Sequence, residues 1–597
     1  MNTQEKILAV LLGVALVGWM FYSNKQAAGR VRSGDDAAAV AEAPAASGEA
    51  PALTAPAAVA ALPVEETAAV APSAPEETVT LNGGEMTLTV SSHGAVLKRV
   101  TLNAYAARPG KLSDENPPVD FDFSSAPALE LLGVPGLAAN AAYRVERDAE
   151  GKVATLTAVT AEGLALSRRI ELLPDYQIKV SDTLRNAGES VVTLGTNSVS
   201  VGAMLRGTSK NDILSVDSLP TFEKAKVRHW DKEKATKAYL AGAAGGMGCG
   251  GKPSAVGMPD HTTVPVFEPQ AWVAIKSRFF VAGFSSSEAN QGFAVKMSRD
   301  VSNPSYMLHE VSARVFFPGR VLGQGEAFTR DYTLYIGPKK LSLLQTLGNG
   351  MDAVMQFGTF TWFCKLLVPT LNFFHKLIPN YGIAIILLTF LVRIIFWPLT
   401  HHSTMSMKRM QELQPKLKEI QAKFKDSPQK MQQETWAVYR ENKVNPMSSC
   451  LPMLIQIPVF IALFTVLRSA VELRYAPFLW IGDLSEPENL FAGLLPIPLN
   501  ILPILMSATM ALQSYLTPSA GDPQQQKMMM VMMPVMMLFM FYSFPSALSL
   551  YWTVSQVLSI VQMWMMRRKS ARKHDADGGM TVEPPLTRQQ RRHAVAK

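Results

Sequence analysis

Arg393 stands inside the apolar run Ile383 to Pro398 (IAIILLTFLVRIIFWP), and no acidic residue interrupts that run to pair with it. Insertion scales put a guanidinium at mid-helix depth at a cost of about 2.5 to 3.5 kcal/mol, so the side chain should face protein, water or both. Two readings are open. Arg393 snorkels to one edge or joins a structural pair within a bundle, or it marks a wet, positively charged cavity inside the membrane. Covalent chemistry has less to stand on. His229, His261 and His309 are scattered, and no acid pair or Ser/His/Asp spacing stands out. Cys249, Cys364 and Cys450 lack CxxC or ligand spacing, which indicates neither a disulfide framework nor a zinc site. The patch Ala241 to Gly251 (AGAAGGMGCGG) lacks the GxxxxGK phosphate loop and reads as an exposed loop. The expectation is a protein that is not an enzyme and needs no cofactor or metal.

Around Arg393 the chain is built in blocks. Its 597 residues are 48% hydrophobic and 18% charged, with a net charge of +8, too long for one ordinary domain and too apolar in places to be wholly soluble. The uneven positive charge points to membrane topology and anionic lipid rather than DNA or other nucleic acid.

Residues 1–24 carry the run Ile7 to Tyr22 (ILAVLLGVALVGWMFY), expected to be a transmembrane anchor, with a cleaved signal peptide as the alternative. Residues 25–78 are rich in Ala and Pro and read as a disordered tether. Residues 79–340 hold β-rich segments at Met86 to Val90, Ala95 to Leu102, Val153 to Val159, Ile178 to Leu184 and Val191 to Val201, and further on at Ala271 to Gly283, Phe293 to Met297, Val311 to Phe317 and Arg330 to Gly337. Many short strands with few helical stretches predict a large antiparallel sandwich.

From residue 341 the pattern turns helical. An interfacial amphipathic helix is expected over 341–380, then transmembrane helices at 381–400, 451–470, 494–516, 528–544 and 547–566. Pro398 is read as the exit of the 381–400 span. Between the first two of these spans, 401–450 reads as a helical hairpin. Met410, Leu413, Leu417 and Ile420 recur at spacings of three and four on its first helix, which Pro415 should bend, and Trp436 and Tyr439 mark the second. Prolines and amides within the spans need internal partners or water, so the bundle has a polar side. Gln456, Gln513 and Gln556 are its candidate lining residues. The run Met528 to Met540 holds eight methionines. They either fill lipid-facing positions or form an adaptable wall, with Met540 as its candidate contact.

Charge orients the bundle. The 401–450 segment carries nine Lys or Arg and the tail 567–597 nine more, whereas the loop 471–493 has Arg474 alone against four acids. Positive-inside bias puts hairpin, loop 517–527 and tail in the cytoplasm. Six spans with both termini cytoplasmic then leave the sandwich outside.

Several long segments carry a resemblance in the same order: LLTFLVRIIFWPLT, LQPKLKEIQAKF, ENKVNPMSSCLPMLIQIPVF, VELRYAPFLWIGDLS, DPQQQKMMMVMMPV and FPSALSLYWTVSQ. Over Tyr381 to Arg568 the chain resembles the YidC/Oxa/Alb family of membrane protein insertases, and in layout its Gram-negative form. The resemblance implies an inner-membrane protein with a five-helix core around a hydrophilic groove, and a periplasmic β-supersandwich. It carries the groove arginine onto Arg393 and the substrate-contacting aromatic pair onto Tyr551 and Trp552. Trp at the second position keeps aromatic area and loses a hydroxyl. The implied activity is insertion and folding of nascent integral membrane proteins, alone or with a Sec-type translocon, with hairpin and basic tail engaging ribosomes and targeting factors. A solute transporter or channel, and an envelope-assembly scaffold with a ligand-binding periplasmic domain, stand as alternatives.

Overall fold

The computed structural model describes residues 75–576 apart from 111, 208–211, 213, 223–224, 231–260, 299–307, 426, 443, 445–450, 495–497 and 517–522. The expected first span, nearly all of the tether, the glycine-rich patch at 241–251 and the tail beyond 576 lie outside these residues.

Among the described residues up to 338, the strands form sheets of nine, five, four and two members. The strands Phe280–Ser286, Ala327–Pro338, Gln177–Asn186 and Leu164–Leu172 lie side by side in the largest sheet, each antiparallel to its neighbour. Alternation decides which face is buried. In Leu164–Leu172 the buried residues are Leu164, Leu166, Arg168, Ile170 and Leu172, so an arginine takes a core position. Asp182 lies directly across from it in register. Arg168 Nε and Nη2 donate to the two Asp182 carboxylate oxygens at 2.7 and 2.6 Å, and Nη1 donates to the Ala95 and Leu129 carbonyls at 2.9 and 2.5 Å. This strand was missing from the sequence reading, although LALSRRIEL alternates.

Two expected strands divide. Ala271 to Gly283 is a hairpin of Gln270–Lys276 and Phe280–Ser286 with Val273 opposite Phe284, because the Ser277 amide donates to the Phe280 carbonyl at 3.0 Å and the Phe280 amide to Ser277 Oγ at 3.3 Å, which closes a turn. Val191 to Val201 falls into Val192–Leu194 and Asn197–Leu205, which join different sheets. Lys339, at the end of the last strand, is buried, and the loss of solvent pushes its ammonium down to about 7.

The helices follow as α1 (Leu341–Thr346), α2 (Thr361–Leu377), α3 (Tyr381–Glu412), α4 (Gln414–Lys423), α5 (Pro428–Glu441), α6 (Leu451–Ser469), α7 (Ile501–Leu516), α8 (Pro523–Phe541) and α9 (Ser546–Ala576). The expected single helix over 341–380 is thus interrupted. Gly348 and Gly350 take left-handed backbone, φ 70° and 68°, and end α1 before two 3₁₀ turns lead into α2. Helix α2 buries Cys364, Leu367, Val368 and Leu371 yet exposes Trp362, Leu366, Phe373 and Leu377. Apolar residues on both faces suit a helix with protein on one side and lipid or interface on the other.

Asn380 caps α3 by accepting from the Ile383 amide at 3.1 Å. The helix does not stop at Pro398 but runs to Glu412. Thr400 Oγ1 donates to the Phe396 and Trp397 carbonyls around the proline at 3.1 and 3.0 Å. Pro415 sits in the first turn of α4, where a missing N–H leaves no bond unmade, so it starts a helix rather than bending one. In this hairpin Leu413 and Leu417 are buried, Met410, Ile420 and Tyr439 half-buried, and Trp436 exposed.

Among the described residues one helix, α3, is long and apolar enough to cross a membrane, with a mean hydropathy of 2.3 in its best stretch. The segments Gln456–Ser469, Ile501–Leu516 and Met530–Phe541 are shorter apolar helices. Helix α9 packs on α3, α6 and α7, and α2 on α3 and α6.

Candidate functional site

Helix geometry gathers the site. Thr389, Arg393, Phe396 and Thr400 recur at spacings of four, three and four along α3, and Tyr551 and Ser555 are one turn apart on α9. These six residues, with Val392 and with Gln456 and Val459 of α6, line a narrow cleft with a free volume of about 20 Å³. Arg393 Nε and Nη2 both donate to Ser555 Oγ, at 3.0 and 2.5 Å. Gln456 Nε2 donates to the Tyr551 hydroxyl at 2.8 Å. Next to the cleft, Gln562 Nε2 donates to Thr400 Oγ1 at 3.3 Å.

A hydroxyl cannot neutralise a guanidinium. Among the described residues no carboxylate forms an ion pair with Arg393, and the Ser555 hydroxyl accepts from its guanidinium. Its positive charge is therefore undiminished at the cleft wall, where it can attract an acidic group in a medium of low dielectric more strongly than it could in water.

The other candidate residues lie elsewhere. Gln556 is buried and accepts from Thr509 Oγ1 of α7 at 2.7 Å, tying α9 to α7. Gln513 is half-buried on α7 and Met540 is 41% exposed on α8; neither lines the cleft. Trp552, about 100° around α9 from Tyr551, turns away from Arg393. It meets Phe460 edge-on at 5.0 Å and Phe541 at 5.4 Å, within a cluster that also holds Phe464 and Phe544. Such contacts favour packing beyond the area they bury. The aromatic neighbours in sequence thus split between a polar cleft and an apolar cluster. Met532 and Met536 are exposed while Met537 packs against the core.

Sequence reasoning missed Ser555 as the partner of Arg393, and Thr389, Phe396 and Thr400 as its helix-face companions. The spacing of α3 residues around Arg393 was a signal for the last three. Nothing in the sequence tells which of Thr553, Ser555 and Ser559 meets the arginine.

Residues 373–573 match the family described as 60Kd inner membrane protein, and residues 78–369 the one described as YidC periplasmic domain. The chain is 42% identical over 301 residues to a membrane protein insertase YidC of Geobacter metallireducens, an alignment that takes in 50% of this chain and 53% of that one. The chain thus spans about half the length of that relative. A membrane protein insertase YidC of Geobacter sulfurreducens is 32% identical over 499 residues, covering 81% of this chain and 84% of the relative. A crystal structure of an active YidC insertase with its first transmembrane domain resolved is 18% identical, covering 82% of this chain and 94% of that one at a TM-score of 0.33. The sequence relatives carry the assignment: with a β-rich periplasmic domain ahead of a helical inner-membrane region, the chain belongs to the YidC/Oxa/Alb family of membrane protein insertases.

Proposed function

We propose that the protein is a membrane protein insertase and folding chaperone whose groove is the cleft at Arg393. The observation that supports this most is a guanidinium in an apolar helix held by a hydroxyl instead of a carboxylate. A structural arginine at that depth would be stabilised by an acid; one left with its charge available suits a passing acidic group. In this reading water and polar side chains around Arg393 shorten the apolar path for the polar outer segment of a nascent membrane protein. Its apolar segment leaves sideways into lipid along aromatic and methionine side chains. Burial of that segment in the bilayer and the membrane potential drive the step, with no covalent chemistry.

The topology that goes with this reading has six spans, both termini in the cytoplasm and the sheet domain in the periplasm of a Gram-negative cell. It rests on the charge asymmetry between 401–450 and 471–493. Segments 451–470, 494–516, 528–544 and 547–566 are its further spans beside 381–400, after the anchor at 1–24. The hairpin of α4 and α5 and the basic tail receive ribosomes and targeting factors, the tail also contacts anionic lipid, and a Sec-type translocon acts with the protein on part of its clients. Gln456 and Tyr551 in the cleft and the exposed Met540 are the proposed substrate contacts beside Arg393, whereas Gln556 and Trp552 pack against neighbouring helices and Gln513 lies outside the cleft.

Site-specific photocrosslinking to a nascent membrane protein tests the reading. Probes at 456 and 551 should capture the chain in transit, 540 should capture it as it leaves, and a probe at the exposed position Ile394 should not. Equal capture at all four positions counts against a groove. Reconstituted protein that moves small solutes yet fails to insert a short single-span protein overturns the assignment in favour of a transporter.

A further inference from the structure

The loop between α6 and α7 exposes almost nothing polar. All of residues 471–494 are described, and among the exposed ones only Asn489 has a polar side chain. Leu479 is 75% exposed, Trp480 43%, Phe491 61% and Leu494 84%. The charges of the loop are turned inward. Glu486 pairs with Arg278, and Asp483 accepts from Tyr475 N at 3.1 Å and from Ser485 N and Oγ at 2.8 and 2.7 Å. Glu488 accepts from the Ile501 and Leu502 amides that start α7, at 2.5 and 2.7 Å. Arg474 donates to the Ala106 and Ala107 carbonyls at 2.8 and 3.3 Å, and Glu472 is half-buried. A loop facing water is ordinarily built the other way round, with charge outside and hydrocarbon within.

Two tips carry the apolar residues, and the backbone holds them out at a cost. Phe478 and Ile481 exchange backbone hydrogen bonds at 2.9 Å, so Leu479 and Trp480 form a two-residue hairpin end. Leu479 has φ 53°, at a position where such turns favour Gly, Asn or Asp. Leu490 and Leu499 close the second tip in the same way, also at 2.9 Å, and Phe491 stands in it at φ 57°. Bulky residues in left-handed backbone are uncommon, and strain of this kind clusters at functional sites. Both tips sit at helix ends. Phe478 packs on Gly382 in the first turn of α3, leaving no room for a Cβ. Beside the second tip, Tyr542, which follows α8, donates to the Pro498 carbonyl at 2.6 Å and its own carbonyl accepts from Asn500 Nδ2 at 2.7 Å.

Residues 381–400 cover about 30 Å as a helix, the thickness of a bilayer's hydrocarbon core. Gly382 is at the outer end of that span in the topology proposed above, and the hairpin end of Leu479 and Trp480 lies beside it. We propose that the two tips, Leu479 with Trp480 and Phe491 with Leu494, are seated in the outer leaflet at the boundary between headgroups and acyl chains; the inference rests on that topology. Lipid is the occupant this surface fits. Tryptophan favours that boundary, and leucine and phenylalanine bury hydrocarbon on its inner side. No carboxylate or guanidinium of the loop has to lose its water there, because each is already turned toward protein. Ile501, Ile504 and Leu505 of α7, which the second tip precedes, are exposed as well, so the apolar surface carries on into a proposed span.

The test places a fluorescent amino acid at 479 or 491 of the full chain in nanodiscs of phosphatidylethanolamine and phosphatidylglycerol. Quenching is read with nitroxide lipids labelled near the headgroup or deep in the acyl chain, and with aqueous iodide. Val321, exposed in the sheet domain, and Ile394, exposed on α3, are the reference positions. The headgroup-level nitroxide should quench 479 and 491 about fivefold more than 321, and iodide about fivefold less. Iodide quenching of both tips to the level of 321 overturns the proposal. Shielding from iodide and lipid alike overturns it too, since protein would then cover the tips. The deep nitroxide at 394 tests the span separately: without quenching there the topology fails, and the inference with it. With quenching at 394, the readings at 479 and 491 bear on the tips alone. Where a substitution at either position prevents accumulation, the same readings at 480 and 494 decide.

Discussion

Arg168 in the sheet domain and Arg393 in the helical region are both guanidiniums at positions where a hydrocarbon side chain would be ordinary. Arg168 points into a sheet core and is met by a carboxylate across the strand and by two carbonyls. Arg393 is met by one serine hydroxyl at the edge of a cleft. The first arrangement closes upon itself and fixes strand register, with every contact pointing inward. The second leaves charge over, which is useful only to something that arrives from outside. The same residue type is structural where its counter-charge is built in, and under the proposed function it serves the substrate where that counter-charge is withheld.

This contrast can be broken most easily at Arg168. Arg168→Ala strands a buried Asp182 and should cost about 3 to 5 kcal/mol of sheet-domain stability, measured by denaturant unfolding. A loss below 1 kcal/mol would put the two arginines in one class. Arg393→Ala should move the opposite quantities. Stability should stay within about 1 kcal/mol, because the two hydrogen bonds lost to one hydroxyl are offset by removing the cost of burying an unpaired charge. Insertion of substrates with acidic outer segments should drop about tenfold, and that of neutral ones much less. Equal losses for both substrate classes would remove electrostatic attraction from the mechanism, and full rescue by Arg393→Lys would show that charge alone matters.

Deleting Met407 to Glu441 sharpens the division between bundle and appendage. Substrate delivery, followed by crosslinking of ribosome-bound chains, should weaken several-fold while the helices stay protease-resistant. A degraded bundle would mean that the hairpin is part of the fold.

A smaller effect separates the regions by pH. Burial holds Lys339 down to about 7, against about 10.4 in an unfolded chain. Between those values the unfolded chain binds the extra proton, so the stability of the sheet domain should rise with pH across that window and fall away as pH drops through 7. Lys339→Met should flatten the curve in thermal unfolding at stepped pH; an unaltered slope would show that the ammonium is charged and solvated in the fold. The smallest change is expected from Ser555→Ala. Arg393 keeps its charge and loses an orienting acceptor, which should lower insertion by about threefold or less.

Much of the plan was legible from one sequence because it rests on local periodicity. Period-two alternation located strands at Met86 to Val90, Val153 to Val159 and Val311 to Phe317, near the observed Met86–Ser91, Val153–Val159 and Glu310–Phe317. Apolar runs located α3, α6, α7 and α8. Boundaries were less legible where a neighbour overrides a local rule. Pro398 reads as a stop, yet packing and the Thr400 hydroxyl carry α3 through it. A run such as Ala271 to Gly283 reads as one strand, yet the chain folds back at Ser277 to pair with itself. In the site, Arg393, Gln456 and Tyr551 could be named beforehand as candidates, whereas the separation of Tyr551 from Trp552 depends on the rotation of α9 against α3 and α6.

The sequence by itself determined that an uncompensated arginine sits in a membrane-length apolar helix, because charge and hydropathy are properties of residues in order. It also determined the alternation of sheets and helices, since those periods are local. Only the tertiary structure decided that Ser555 faces the arginine, that Gly382 leaves room for Phe478, whose ring atoms lie within 2.2 Å of where a Cβ would stand, and that Arg278 reaches from the sheet domain to Ser485 and Glu486. Such pairings join residues tens to hundreds of positions apart, and no local period carries the rotation and depth at which two helices or two domains meet.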